Sequence, residues 1–308
     1  MQPNMLPMSK QHFQYLKGLA ILAVMTGHIG NFSGKTWFTP LGGIGVAIFL
    51  FCSGFGLMKS FQVKGLTNFW RSKLISVYLP FAAVEIIAAV IYHRNFLSVL
   101  LDLLFVKMLH PYSWYLQYLL ICYALFYFVM RFVPEKRTRY LIWGAASMCS
   151  FVFCSNLQGE QAISFLAGLF AAEHMKESGQ IAFTKKHLAL GGFLLMVSVV
   201  LLAVKQLPFA RIYDHVYTLF NLLLKSSCAA GLLLISGVKP VFKTSICWFG
   251  QLSYALYLIH GFFMWMVVQS VTGFYLLDSL VMLTASMVVS IILNQFLLLL
   301  QKRRQKCL

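Results

Sequence analysis

The stretch LGGIGVAIFLFCSGFGLM, residues 41–58, carries no charged side chain and no proline. As an α-helix its 18 residues rise about 27 Å, close to the ~30 Å hydrocarbon core of a bilayer. Such a segment reads as a membrane-crossing helix, and the pattern recurs along the chain. Comparable apolar runs fall at 13–32, 74–92, 96–109, 112–130, 140–155, 161–174, 188–204, 213–236, 246–270 and 276–300. Over all 308 residues, 60% are hydrophobic and 11% charged, against about 45–50% and 25% in a soluble domain. This composition excludes a water-soluble globular enzyme, a disordered protein and a small disulfide-stapled secreted domain. Ten spans of about 20 residues use roughly 200 positions, which leaves only short loops and tails and no separate aqueous domain.

The eleven runs do not all cross. The run 96–109 is short and carries Asp102 and Lys107, which suits an interfacial or re-entrant helix. The run 161–174 is equally short, so the choice between them rests on charge. Cytoplasmic loops carry the excess of Lys and Arg. If 96–109 does not cross and the N-terminus is cytoplasmic, 18 Lys and Arg lie in cytoplasmic segments and 4 (Lys35, Arg94, Lys205, Arg211) in outer ones. Letting 96–109 cross would invert the Arg131–Arg139 cluster and every later one. The expectation is therefore an all-α polytopic membrane protein with about ten transmembrane helices, one short non-spanning helix and both termini cytoplasmic. Residues 1–308 read as a single domain, with no internal repeat and no low-complexity linker.

The net charge of +17 is thereby an orientation signal, and no nucleic-acid partner is expected. The seven cysteines show no CxxC spacing and lie mostly in apolar runs, where they read as small packing residues. Residues 1–14 lack the basic region, apolar core and small-residue cleavage site of a signal peptide.

Ionisable groups inside a span are expensive and mark function by default. Lys17 and His28 are 11 residues apart on the first span. At about 100° per residue they share one helix face, separated by about 16 Å along the axis. Arg71 and Lys73 precede the third span, ahead of Pro80. Glu85 and Lys225 sit near the middle of their spans and are expected to pair, since neither tolerates isolation at that depth. Tyr254, Tyr257 and His260 recur at i, i+3 and i+6 and line one side of an apolar helix. His110, Trp114 and Tyr115 lie near the start of the fourth span, where they close over a site or anchor the interface.

Five of these elements, in order and spacing, resemble the membrane acyltransferase-3 family. They are Lys17 with His28; Ser53-Gly54-Phe55 at the end of an apolar stretch; Arg71 and Lys73 leading to Pro80; Trp114-Tyr115; and Gly250-x-x-Ser253-Tyr254-x-x-Tyr257-Leu-Ile-His260. The resemblance runs from about residue 10 to 300. In that family the first basic residue is often arginine; lysine is a point charge without the bidentate fork. The resemblance implies transfer of an acyl group, commonly acetyl, from cytoplasmic acyl-CoA to a carbohydrate hydroxyl, with no resident cofactor and no metal. It implies His28 as general base with His260 as a second catalytic candidate. Lys17, Arg71 and Lys73 would hold the polyanionic donor; Trp114, Ser253, Tyr254 and Tyr257 would position the acceptor. Ser53 reads as a packing residue, not a nucleophile. The expected partners are acyl-CoA, a carbohydrate, lipid-linked or free, and the lipid of a bacterial cytoplasmic membrane. The rival reading is a transporter or flippase of a lipid-linked or small substrate.

Overall fold

The computed structural model describes residues 5–7, 10–109, 112–174, 180–182, 184–238 and 243–306; His110 lies outside them. In chain order the elements are β1 (Met5–Pro7), α1 (Lys10–Phe32), α2 (Thr39–Lys64), α3 (Phe69–Lys73), a π-helical turn (Leu74–Tyr78), α4 (Leu79–Ile91) and α5 (Phe96–Leu103). There follow α6 (Trp114–Phe132), α7 (Lys136–Phe153), α8 (Asn156–Gly159), α9 (Ser164–His174), β2 (Gln180–Ala182) and α10 (Lys185–Val204). The last are α11 (Asp214–Val238), α12 (Lys243–Phe263), α13 (Trp265–Val268) and α14 (Tyr275–Lys306). Among the described residues the fold is helical apart from a short antiparallel ribbon in which β1 pairs with β2.

Six helices among the described residues are long and apolar enough to cross a membrane: 36–64, 69–91, 114–132, 185–204, 214–237 and 275–298. Their flanks expose large apolar side chains such as Ile87, Val90, Phe193, Val199 and Ile292, which hydrocarbon would cover and water would not. The expected non-spanning run forms only the 8-residue α5. Asn95 caps its start by accepting from the Leu97 amide at 2.8 Å. Two other runs differ from expectation. Only 11 residues of 161–174 are α-helical, and the run 246–270 breaks after Phe263 into the short α13.

The chain divides into two compact units. The first comprises Met1–Gly65 and Phe128–Ser253. Its helices approach so closely that glycine is required at their crossings. A Cβ on Gly18 of α1 would lie 1.9 Å from the Ile246 carbonyl oxygen of α12, and one on Gly250 would lie 1.7 Å from that of Gln14. A Cβ on Gly45 would meet the Ala20 carbonyl, one on Gly54 that of Phe165, and one on Gly168 that of Phe51. Small residues that admit backbone-to-backbone packing are what holds helices together when lipid removes the hydrophobic drive. α1 is thus locked between α2 and the first half of α12, and α9 is locked to the middle of α2.

The second unit comprises Leu66–Tyr127 and Tyr254–Leu308. Pro80 has no amide hydrogen, and its ring crowds the carbonyl one turn earlier. The helix widens to the π turn at Leu74–Tyr78 just before it. The Tyr254 hydroxyl donates to the Val77 carbonyl within that turn. Asp102, fully buried, accepts from the Leu109 amide at 2.8 Å, and Tyr78 donates to the Leu103 carbonyl at 3.0 Å. These bonds tie the non-spanning segment down.

Candidate functional site

α1 carries the two leading residues. Lys17 and His28 are each half-buried. Lys17 lies within electrostatic reach of Cys52 on α2, beside the Ser53-Gly54-Phe55 element. The glycine contacts to α2 and α12 fix the rotation of α1, and with it the face that both side chains share.

One turn beyond His28, Asn31 enters the lining of a cleft of about 1070 Å³. The cleft lies wholly within the first unit. It is walled by the α1–α2 connection, the α8 region, the end of α10 and the first half of α11. At its floor Lys225 is bonded to Glu160. A Cβ on Gly43 would sit 2.3 Å from Lys225 Cε, so this glycine makes room for the lysine stem. Gln161 fixes the same place by donating to the Gly43 carbonyl at 2.9 Å. Lys205, 5% exposed, donates to the Asn221 amide oxygen at 2.8 Å and lies 5.4 Å from the centre of the Tyr217 ring. Burial lowers its proton affinity below the ordinary lysine value; Glu160 opposes that effect and Arg211 adds to it. Arg211 is bonded to Gln206, and Trp37 stands 73% exposed in the cleft wall.

The expected Glu85–Lys225 pair is therefore incorrect. Lys225 takes Glu160, and Glu85 takes Arg94 at 3.8 Å in the second unit. Both buried charges do find partners, as their depth demands. Residue order alone does not tell which of eight acidic residues lies beside which lysine. Glu160, Lys205 and the cleft as a whole escaped the sequence reading. The one available signal was a loop acid directly before a short apolar run.

The remaining expected residues fall as follows. Arg71 is exposed on α3. Lys73 lies 4.3 Å from the centre of the Tyr123 ring, a cation–π contact. Trp114 is half-buried at the start of α6, edge-on to Tyr115. Ser253 is buried and its hydroxyl returns to the Gly250 carbonyl of its own helix at 2.8 Å, a packing role. Tyr254 and Tyr257 stack, and both donate to main-chain carbonyls, Tyr257 to that of Tyr112 at 2.7 Å. His260 is fully buried beside Tyr112 and Tyr257. Its Nδ1 lies 2.9 Å from the carbonyls of Leu256 and Tyr257. Carbonyls only accept, so Nδ1 carries the proton and Nε2 is the basic nitrogen of the neutral ring.

Buried ion pairs, glycine-locked helices and several membrane-length segments define a multi-pass membrane protein with a polar interior. The acyltransferase-domain family model of acyltransferase-3 matches residues 11–296, nearly the whole chain. The chain belongs to that family and is a membrane acyltransferase. Neither the curated proteins nor the solved structures gave a match.

Proposed function

We propose that the protein transfers an acyl group, acetyl first among the candidates, from acyl-CoA to a hydroxyl of a carbohydrate such as an exopolysaccharide, capsule or O-antigen unit. The observation that carries this reading is the order along α1: Lys17, then His28 about 16 Å further on, then the cleft one turn beyond. The pantetheine arm is extended and of comparable length. With the nucleotide near Lys17, the thioester would reach His28; Arg71 and Lys73 remain candidate donor-binding residues in their own unit. The acceptor hydroxyl gives its proton to the His28 imidazole while its oxygen attacks the thioester carbonyl. The tetrahedral intermediate collapses with cleavage of the C–S bond. The leaving coenzyme A thiolate recovers the proton from the imidazolium, and the ester departs on the acceptor. His260, with Nε2 basic, and Tyr254 remain the proposed partners for orienting the reactants.

Ten crossings and cytoplasmic termini in a bacterial cytoplasmic membrane belong to the same proposal. Support comes from the first unit. Gln161 reaches Gly43, and Gln62 reaches the Ala172 carbonyl at 3.5 Å. The segment 161–172 therefore lies against α2, and the two glutamine side chains extend that contact toward residues 43 and 62 despite the shortness of α9.

The test is transfer from radiolabelled acetyl-CoA by purified protein in liposomes supplied with a glycan pool. Wild type should label glycan, and His28→Ala should fall by at least about a hundredfold, the scale of general-base catalysis. Near wild-type transfer by His28→Ala would remove His28 from the base role. Lys17→Ala should raise the KM for acetyl-CoA; a defect confined to the acceptor KM would contradict the donor placement. Substrate movement without any acyl transfer would favour the transporter.

A further inference from the structure

The cleft beyond His28 has a surplus of positive charge that nothing within it balances. Lys205, Lys225 and Arg211 contribute three cations; Glu160 and Asp214 contribute two carboxylates. Glu160 is committed to Lys225. Lys205 is as buried as Lys225; its ammonium bonds a neutral amide oxygen and faces an aromatic ring, and the Glu160 carboxylate that acts on it from nearby is itself bonded to Lys225. A buried cation is costly unless an anion compensates it. Arg211 stands at the mouth on the same wall, close enough to Lys205 for mutual repulsion. Two cations held near each other without a dedicated carboxylate are a receptor for an oxyanion.

The rest of the wall has a different chemistry. Trp37 and Tyr217 offer aromatic faces, and Asn31 and Asn221 offer amides. Flat rings and amides suit a compact polyol, with C–H faces stacked and hydroxyls hydrogen-bonded. The volume of about 1070 Å³ exceeds what one sugar needs and lies at the upper end of small-ligand sites.

We propose that this cleft seats an anionic polyol: a carboxylate or phosphate lies between Lys205 and Arg211, and the neighbouring hydroxyls lie toward Asn31 and hence toward His28. The direction of those hydroxyls rests on the acyltransferase reading; the oxyanion site does not. A sugar acid, a sugar phosphate and a glycerol-phosphate lipid headgroup share this chemistry.

Calorimetric binding to the full chain in phosphatidylcholine nanodiscs tests it, with glucose, glucuronate and glucose 6-phosphate as probes. Glucuronate or glucose 6-phosphate should bind at least about tenfold tighter than glucose, the scale of one charge-assisted hydrogen bond. Lys205→Met and Arg211→Gln should each erase most of that preference while leaving acetyl-CoA binding unchanged. Arg211 is exposed, so its variant decides the matter if Lys205→Met does not fold. Loss of glucuronate binding in phosphatidylglycerol nanodiscs would identify a lipid headgroup as the source of the same chemistry. Equal affinity for glucose and glucuronate, or an intact preference in Arg211→Gln, overturns the proposal. The two readings fail separately. Anionic binding without acyl transfer to any acceptor sinks the acyltransferase proposal and leaves the oxyanion site. Equal transfer to glucose and glucuronate, with equal binding, sinks the oxyanion site and leaves the enzyme.

Discussion

Lys225 shows how far a buried charge depends on a single neighbour. Its ammonium is almost fully enclosed, and Glu160 is its salt-bridge partner. Removing one member of such a pair strands the other in a medium of low dielectric, at a cost of about 3–5 kcal/mol. Lys225→Met should therefore lower the thermal unfolding midpoint in detergent sharply. Adding Glu160→Gln should recover most of the loss, because the stranded carboxylate is gone. A double variant no more stable than the single one would mean that the pair does not hold this part of the fold. Lys17 and His28 were legible because both lie on one helix, where position follows from residue spacing. The Lys225 partner was not, because it is set by how α11 packs against the α8 region. A sequence does not display that packing as a period.

Glycines carry the same lesson for helices. Gly18, Gly54 and Gly250 all belong to stretches that resemble the family, and all three mark helix crossings. In this chain, then, part of what makes those stretches recognisable is steric, and only part is chemical. Ser253, Tyr254 and Tyr257 extend the point, since each hydroxyl is spent on a main-chain carbonyl. The stripe of Tyr254, Tyr257 and His260 was visible in the sequence; that Tyr254 would brace the π turn before Pro80 was not, because the turn arises from the proline's missing amide hydrogen. Gly250→Ala should cost most of the folded protein, since the added methyl would sit 1.7 Å from the Gln14 carbonyl oxygen. Neither backbone can yield without pulling α1 from α12. Gly56, on α2, has open space around its Cβ position, so Gly56→Ala should fold normally and gain slightly in helix propensity. Size-exclusion profiles of the two variants in detergent read the difference. A monodisperse Gly250→Ala at wild-type yield would show that the crossing can relax.

At the scale of the whole chain, the number and direction of crossings decide which side each chemistry faces. Residues 31–40, 157–160 and 199–225 all contribute to one cleft in the first unit. If that cleft opens to one aqueous face, the connections after α1, after α7 and after α10 share one side of the membrane. That condition requires an even number of crossings between residues 40 and 157, and again between 160 and 205. α2, the α3–α4 helix, α6 and α7 give four in the first interval if α7 crosses and α5 stays at the interface. α9 and α10 satisfy the second only if the short α9 segment crosses. The proposed ten-span arrangement, read from charge bias, has this parity, since it places Lys35, Lys205 and Arg211 together on the outer side. Single cysteines in a cysteine-free background, probed in intact cells with a membrane-impermeant maleimide, test both. Lys35→Cys, Leu157→Cys and Ile212→Cys should label without permeabilisation, whereas Lys64→Cys and Lys136→Cys should label only after it. Labelling of Lys35→Cys and Ile212→Cys from opposite sides would break the cleft as described, and with it the placement of an acceptor beside His28. Labelling of all three only after permeabilisation would keep the cleft but reverse the membrane. The donor would then have to reach Lys17 from outside, where acyl-CoA is not made, and the choice of acyl donor would have to change.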